Sequence, residues 1–201
     1  MQLAHRHCYL LLLIFIVAIS SGCMETRVKQ SLLNEEPLLI DKEKARAIKT
    51  LIVFPKIDKN ISNEELIYVA EALEASGRFK IISPNKFAQE AAKENFVIKG
   101  MTTSDRVSAS KIIGEKLSAD AVLFIKTKGF GYSANFASAF TTRVSNNGSN
   151  ILIIREVHSG NIIWEQEQYV NMSVSGLKSP DSRKIIKTQH DPLIRNILHS
   201  F

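Results

Sequence analysis

Residues 130–144 alternate. Phe130, Tyr132, Ala134, Phe136, Phe140, Thr142 and Val144 fall on one parity, and Gly131, Ser133, Asn135, Ala137, Thr141 and Arg143 on the other. Successive strand side chains point to opposite faces, so this pattern predicts a strand with one apolar face. At about 15 residues it far exceeds the usual five or six, and it therefore demands long partner strands. Asn146-Asn147-Gly148-Ser149-Asn150 reads as the hairpin turn that follows. Residues 151–157 then return as a strand, Ser159-Gly160-Asn161 turns again, and residues 162–167 alternate onward. Phe130, Tyr132, Phe136 and Phe140 are the candidate contacts with membrane or a neighbouring subunit. The competing reading makes them sheet core, because such stripes ordinarily face inward.

Upstream the period changes. Thr50-Leu51-Ile52-Val53-Phe54-Pro55 is a short buried strand closed by proline. Ser62-Asn63-Glu64-Glu65 is a capping box, and Leu66, Val69, Ala70 and Leu73 form the apolar stripe of the helix it opens. Gly77 stands where that helix ends. Residues 78–82 read as a second strand, and Ser83-Pro84-Asn85 starts a helix with Phe87, Ala91 and Ala92 inward. Ser104 is read as the cap of a further helix, and Ala119-Asp120 turns into the apolar strand 121–125. Residues 171–182 read as a polar loop. Asp191-Pro192 supplies a cap and a first-turn proline for a closing helix with Leu193, Ile194, Ile197, Leu198 and Phe201. The expected class is α/β, with helices on a mixed parallel/antiparallel sheet and a C-terminal helix.

The first 22 residues stand apart. The uninterrupted apolar run at residues 8–19 has 12 residues. As a helix it rises only ~18 Å, short of a membrane span, and so reads as a signal peptide's apolar core. Ser20-Ser21-Gly22-Cys23 follows and resembles the lipobox of bacterial lipoproteins, although that pattern prefers Leu where Ser20 stands. The resemblance implies cleavage between Gly22 and Cys23, acyl chains on Cys23, and attachment to membrane through them. Met24 supplies no inner-membrane retention signal, which makes the periplasmic face of the outer membrane the expected location. The domain plan is then residues 1–22 signal, 23–47 lipidated cysteine and tether, and 48–201 globular domain. Within the tether, residues 41–47 suggest a short helix, and Leu38, Leu39 and Ile40 dock either on the domain or on a neighbour.

Four segments share an order and spacing: Ile52-Val53-Phe54-Pro55, Leu73 through Ile82, Ala119 through Ile125, and Val157-His158-Ser159-Gly160-Asn161-Ile162-Ile163-Trp164. Together they resemble the TolB-N-terminal-like domain of CsgG-type lipoproteins. That family includes the curli-secretion lipoprotein, the PelC exopolysaccharide lipoprotein and LpoB-type activators of peptidoglycan synthases. The last segment departs from the family's Asp-x-x-Thr-Gly-Glu pattern, with Glu156 and Ser159 at the Asp and Thr places. The chain shows no second long hairpin of the pore-forming curli type, which argues against a self-made pore.

Catalytic patterns are weak. Ser83-Pro84-Asn85-Lys86 matches Ser-x-x-Lys, but the Ser-Asp-Asn and Lys-Thr-Gly elements of penicillin-recognising enzymes are missing, and Ser83 is explained as a helix cap. Gly129-Phe130-Gly131 is not followed by a third glycine or a helix, so it marks no dinucleotide site. His158, His190 and His199 are not paired at i, i+4 with another ligand, and no metal or other cofactor is expected. His190 reads as part of a helix start. Without residues 1–22, which hold one Arg and no acid, 25 basic groups face 20 acidic ones. No basic block exists, so the surplus reads as solvated surface, and nucleic acid is excluded by compartment. The expected role is a non-catalytic envelope lipoprotein that assists export of a polymer or fibre, self-associating into a ring. The alternative is a binding module that activates a peptidoglycan synthase or another envelope enzyme. That role would call for a longer, Pro/Gln-rich tether than residues 24–47 provide.

Overall fold

In strand β3 (Thr50–Val53), Leu51, Ile52 and Val53 are fully buried. The computed structural model describes residues 26–32, 37–39, 41–57, 60–138, 141–175 and 182–201. The predicted signal peptide, the Gly22–Cys23 cleavage site and Phe140 lie outside them. Around β3 the chain builds one seven-stranded mixed sheet. β4 (Lys80–Ile82) and β5 (Ala121–Ser138) run parallel to β3 on either side of it. β6 (Thr141–Glu156), β7 (Ile162–Ser175) and β1 (Thr26–Leu32) follow β5 in antiparallel order, and the two-residue β2 (Leu38–Leu39) also pairs with β7.

Helices cover both faces of the lower sheet. On one face α2 (Asn63–Ala75) and α5 (Ser182–Ser200) pack over Leu51, Leu123, Leu152, Ile154 and Trp164. On the other, α3 (Pro84–Lys93) and α4 (Thr103–Lys116) pack over Ile52, Phe54, Phe124 and Ile153. Phe54 stacks on Phe124 and meets a tilted Phe87, with ring centroids 4.7 and 4.8 Å away. The Ser62–Glu65 capping box forms as read, and α1 (Lys42–Ala47) starts at an Asp41 cap. Leu38 and Leu39 pair with Glu165 and Trp164 of their own domain, and Ile40 lies outside the described residues.

Five readings are corrected. The Asn146–Asn150 stretch is not a turn; it lies inside β6, paired with β5 on one side and β7 on the other. Ladders on both edges override its turn propensity. The chain reverses instead between Ser138 and Thr141, so the alternating run is two arms of a hairpin. β7 occupies residues read as loop up to Ser175. Thr102, rather than Ser104, caps α4, in a capping box completed by Asp105. Asp191-Pro192 does not begin a helix. Pro192 lies inside α5, where it removes one backbone bond, while buried Ile186, His190, Leu193, Ile194 and Ile197 carry one stripe across it. Finally, part of the stretch read as tether is β1, a sheet strand.

Candidate functional site

The three longest strands outrun the body. β3 accompanies β5 only as far as Leu123, which also accepts a backbone hydrogen bond from Phe54. Beyond Phe124, no described strand pairs with that edge of β5. From the Lys128–Ser149 pair to the Ala134–Val144 pair, β5, β6, β7 and β1 form a four-stranded ribbon, and β5 and β6 run on to Ser138–Thr141. Ten residues of strand span roughly 33 Å. Its outer edges are β1 on one side and upper β5 on the other. Neither has a partner among the described residues. Unpaired N–H and C=O groups on such edges template further strand pairing.

Register sorts the ribbon into two chemically different faces. One carries Tyr132, Ala134 and Phe136 of β5, level with Asn146, Val144 and Thr142 of β6. The same face takes Val170, Met172 and Val174 of β7 and Thr26, Val28 and Gln30 of β1. It holds no charged residue. The other face carries Gly131, Ser133 and Asn135, then Asn147, Ser145 and Arg143, then Asn171, Ser173 and Ser175, then Lys29 and Arg27. One face therefore mixes apolar residues with a few amides and hydroxyls, and the other is polar apart from Gly131.

Of the predicted contact residues, Tyr132 and Phe136 share the uncharged face. Phe130 sits with Gly129 opposite Gly148, in a β-bulge between Lys128 and Gly131. A glycine opposite a bulge leaves room for the distorted backbone. A second irregularity falls between Phe136 and Ser138. What sequence reasoning missed was the partnership of β1 and β7 with this hairpin. These strands extend the hairpin sideways into a wider sheet without forming a second hairpin. Thr26-Arg27-Val28-Lys29-Gln30 does alternate, and that was the signal available.

Buried polar groups cluster at the ribbon's base. Asn150 and Gln168, paired across β6 and β7, are both fully buried. Their side chains have no hydrogen-bond partner among the described residues, while Gln166 Oε1 accepts from Asn196 Nδ2 at 2.9 Å.

The residues weighed for chemistry are spread apart. Ser83 Oγ accepts from Lys86 N at 3.3 Å as the cap of α3. His158, exposed, has Nδ1 3.9 Å from a Glu115 oxygen, and His199 Nδ1 lies 2.8 Å from the Arg195 carbonyl. His190 is not at a helix start; it is fully buried within α5, with Nε2 3.4 Å from Glu65 Oε1. Burial raises the Glu65 pKa, but bonds from His190 and the Ser62 backbone outweigh it and leave the carboxyl below its usual value. Tyr68 donates to Asp191 Oδ1 at 2.5 Å; burial, then that carboxylate, push its pKa up to about 12. Glu156 accepts from Ser159 Oγ and, at 3.1 Å, from Lys44 Nζ, and its carboxyl is held low first by the serine. The two residues that depart from the family pattern thus tie the β6–β7 turn together. No group of three metal-ligating side chains occurs among the described residues.

No protein-family model matches the chain, and no curated protein matches its sequence. Among solved structures it is similar to a PelC dodecamer from Paraburkholderia phytofirmans, at 11% identity over 86% of this chain and 98% of that one, with a TM-score of 0.42. It is similar to lipoprotein GNA1162 from Neisseria meningitidis at 16% identity over 75% and 99%, TM-score 0.45. The LpoB C-terminal domain from Escherichia coli aligns at 18% identity over 60% of this chain and 81% of that one, TM-score 0.42.

Proposed function

We propose that this chain is a non-catalytic lipoprotein anchored at the periplasmic face of the outer membrane, which self-associates through its ribbon and assists export of a polymer or fibre. The observation that carries this is the ribbon itself: two open edges on opposite sides, joined by an uncharged face and a polar one. Pairing β1 of one copy with upper β5 of the next is head-to-tail, and such contacts form a ring where the rotation between copies closes and a filament where it does not. The uncharged face then meets lipid or neighbouring apolar surface.

The anchor supports the same reading. Thr26 pairs with Val174, near the ribbon's tip, and Cys23 precedes it by three residues, a reach of at most about 10 Å. Acyl chains on Cys23 bring the tip, rather than the helical body, to the membrane. So short a link also counts against a module that must reach a distant envelope enzyme.

Cysteine cross-linking tests the edge pairing. Removal of the signal leaves no cysteine other than Cys23, which acylation would occupy. An Arg27→Cys/Ser133→Cys double variant, treated with a flexible bis-maleimide in membranes, should give a ladder extending past the dimer. Each single variant should stop at a dimer. A double variant that also stops at a dimer contradicts head-to-tail pairing.

A further inference from the structure

The basic surplus of this chain is ordered on the ribbon. On the polar face, register defines four successive levels, each two residues, or about 6.8 Å, from the next. Lys128 lies level with Ser149, Tyr169 and Ser31. Lys29 lies level with Asn171, Asn147 and Gly131, and Arg27 with Ser173, Ser145 and Ser133. Arg143 lies level with Ser175 and Asn135. Every level thus carries one cation, no level carries an acid, and the remaining places are glycine, amides, hydroxyls and Tyr169.

The geometry points to a binding face for a linear polyanion, a polymer that repeats carboxylate or phosphate groups along its length. This rests on the ring reading above, because closure repeats each level's cation once per copy and stacks four rings of positive charge. One lysine on a solvated surface attracts little, but stacked rings on a face lined by hydrogen-bonding groups sum their fields. Amides and hydroxyls suit a polymer rich in hydroxyls, since they donate and accept equally. A lipid headgroup is the less suitable occupant. The uncharged face belongs to the same ribbon and is the one suited to lipid, while the cationic levels take the opposite register positions.

The test uses the full acylated chain in phosphatidylcholine vesicles, its multimeric mass checked in the same preparation. Fluorescent polygalacturonate, polyphosphate and neutral dextran are the probes. Polygalacturonate or polyphosphate should bind and dextran should not, with binding falling steeply as salt rises. Which of the two anions binds more tightly separates carboxylate from phosphate. A Lys29→Gln/Arg143→Gln variant should bind at least tenfold more weakly, and a Lys86→Gln/Lys111→Gln control on the exposed helices should be unchanged. A multimer that binds neither anion, equal loss in both variants, or equal binding of dextran overturns the proposal and leaves the ring intact. Capture only by vesicles containing phosphatidylglycerol, with no polymer bound, overturns it in favour of a headgroup. A monomer that still binds polymer through Lys29 and Arg143 overturns the ring and keeps the face, and a monomer that binds nothing overturns both.

Discussion

Val28 stands opposite Met172, and Met172 opposite Asn146, so the first described strand and the last complete one uncharged face. A charge placed there should be far more disruptive than one placed a single residue away. Val28→Lys and Val144→Lys should reduce flotation of the acylated protein with vesicles and its recovery as a multimer several-fold. Ser145→Lys, on the polar face, should leave both unchanged. Equal effects from Val144→Lys and Ser145→Lys would contradict the sorting of the two faces.

Gly114 fixes how closely α4 approaches the β6–β7 turn. A Cβ at this position would meet Val157 Cγ2 at 2.6 Å and Cγ1 at 2.8 Å. Gly114→Ala should cost about 1–3 kcal/mol from overpacking, despite alanine's better helix propensity. Adding Val157→Ala should recover part of that loss, and the double-mutant cycle in urea shows whether the two changes are coupled.

Glu65 serves two elements at once, capping α2 through Ser62 N at 2.6 Å and meeting His190 of α5 at 3.4 Å. Its folded pKa lies below the ordinary 4.5, so its contribution is fully present above that value and is lost as pH falls through the lower, folded one. Glu65→Gln should therefore lower the urea midpoint at pH 7. The gap to the parent should narrow as the pH drops below 4.5. A gap of constant size down to pH 3 would show that the charge plays no part.

Tyr68 behaves oppositely in sign. Its pKa is raised to about 12 by burial first and Asp191 second, so the stability it supplies is present below pH 10 and lost as pH climbs toward 12. In a difference titration near 295 nm, Tyr68→Phe should remove an ionisation step near pH 12, and Asp191→Asn should move that step to lower pH.

Elements whose local chemistry agreed with their packing were legible in the sequence. The capping box at Ser62, the apolar stripe of α2 and the strands at 50–53 and 121–125 each carry their own signal. Asp120 accepts from the backbone of Lys49 and Thr50 at 2.8 Å, fixing the start of β3 beside β5. Arg78 donates to the carbonyls of Ile48 at 2.8 Å and Arg46 at 3.0 Å, and also to that of Phe201. No local pattern encodes such long-range bonds.

Reading failed where distant pairing overrode local preference. Asn146–Asn150 has turn chemistry but two flanking ladders, and Pro192 has helix-start chemistry but sits in the middle of a buried stripe. The ribbon was half visible. Alternation in residues 130–144 survived the hairpin because Phe136 pairs with Thr142 and Ala134 with Val144, which keeps parity across the turn. The contribution of β1 was hidden, because a short mixed-charge alternation next to a signal peptide looks like linker until its partner is known.

The most direct test of the account is the mass of the acylated chain in mild detergent, beside that of a variant whose upper β5 edge is blocked by Ser133→Pro. Proline cannot donate to a neighbouring strand, so that edge is closed to pairing. The account predicts a discrete multimer for the parent and a smaller species for the variant. A parent that is monomeric at every protein concentration, or a variant that assembles as the parent does, would contradict it.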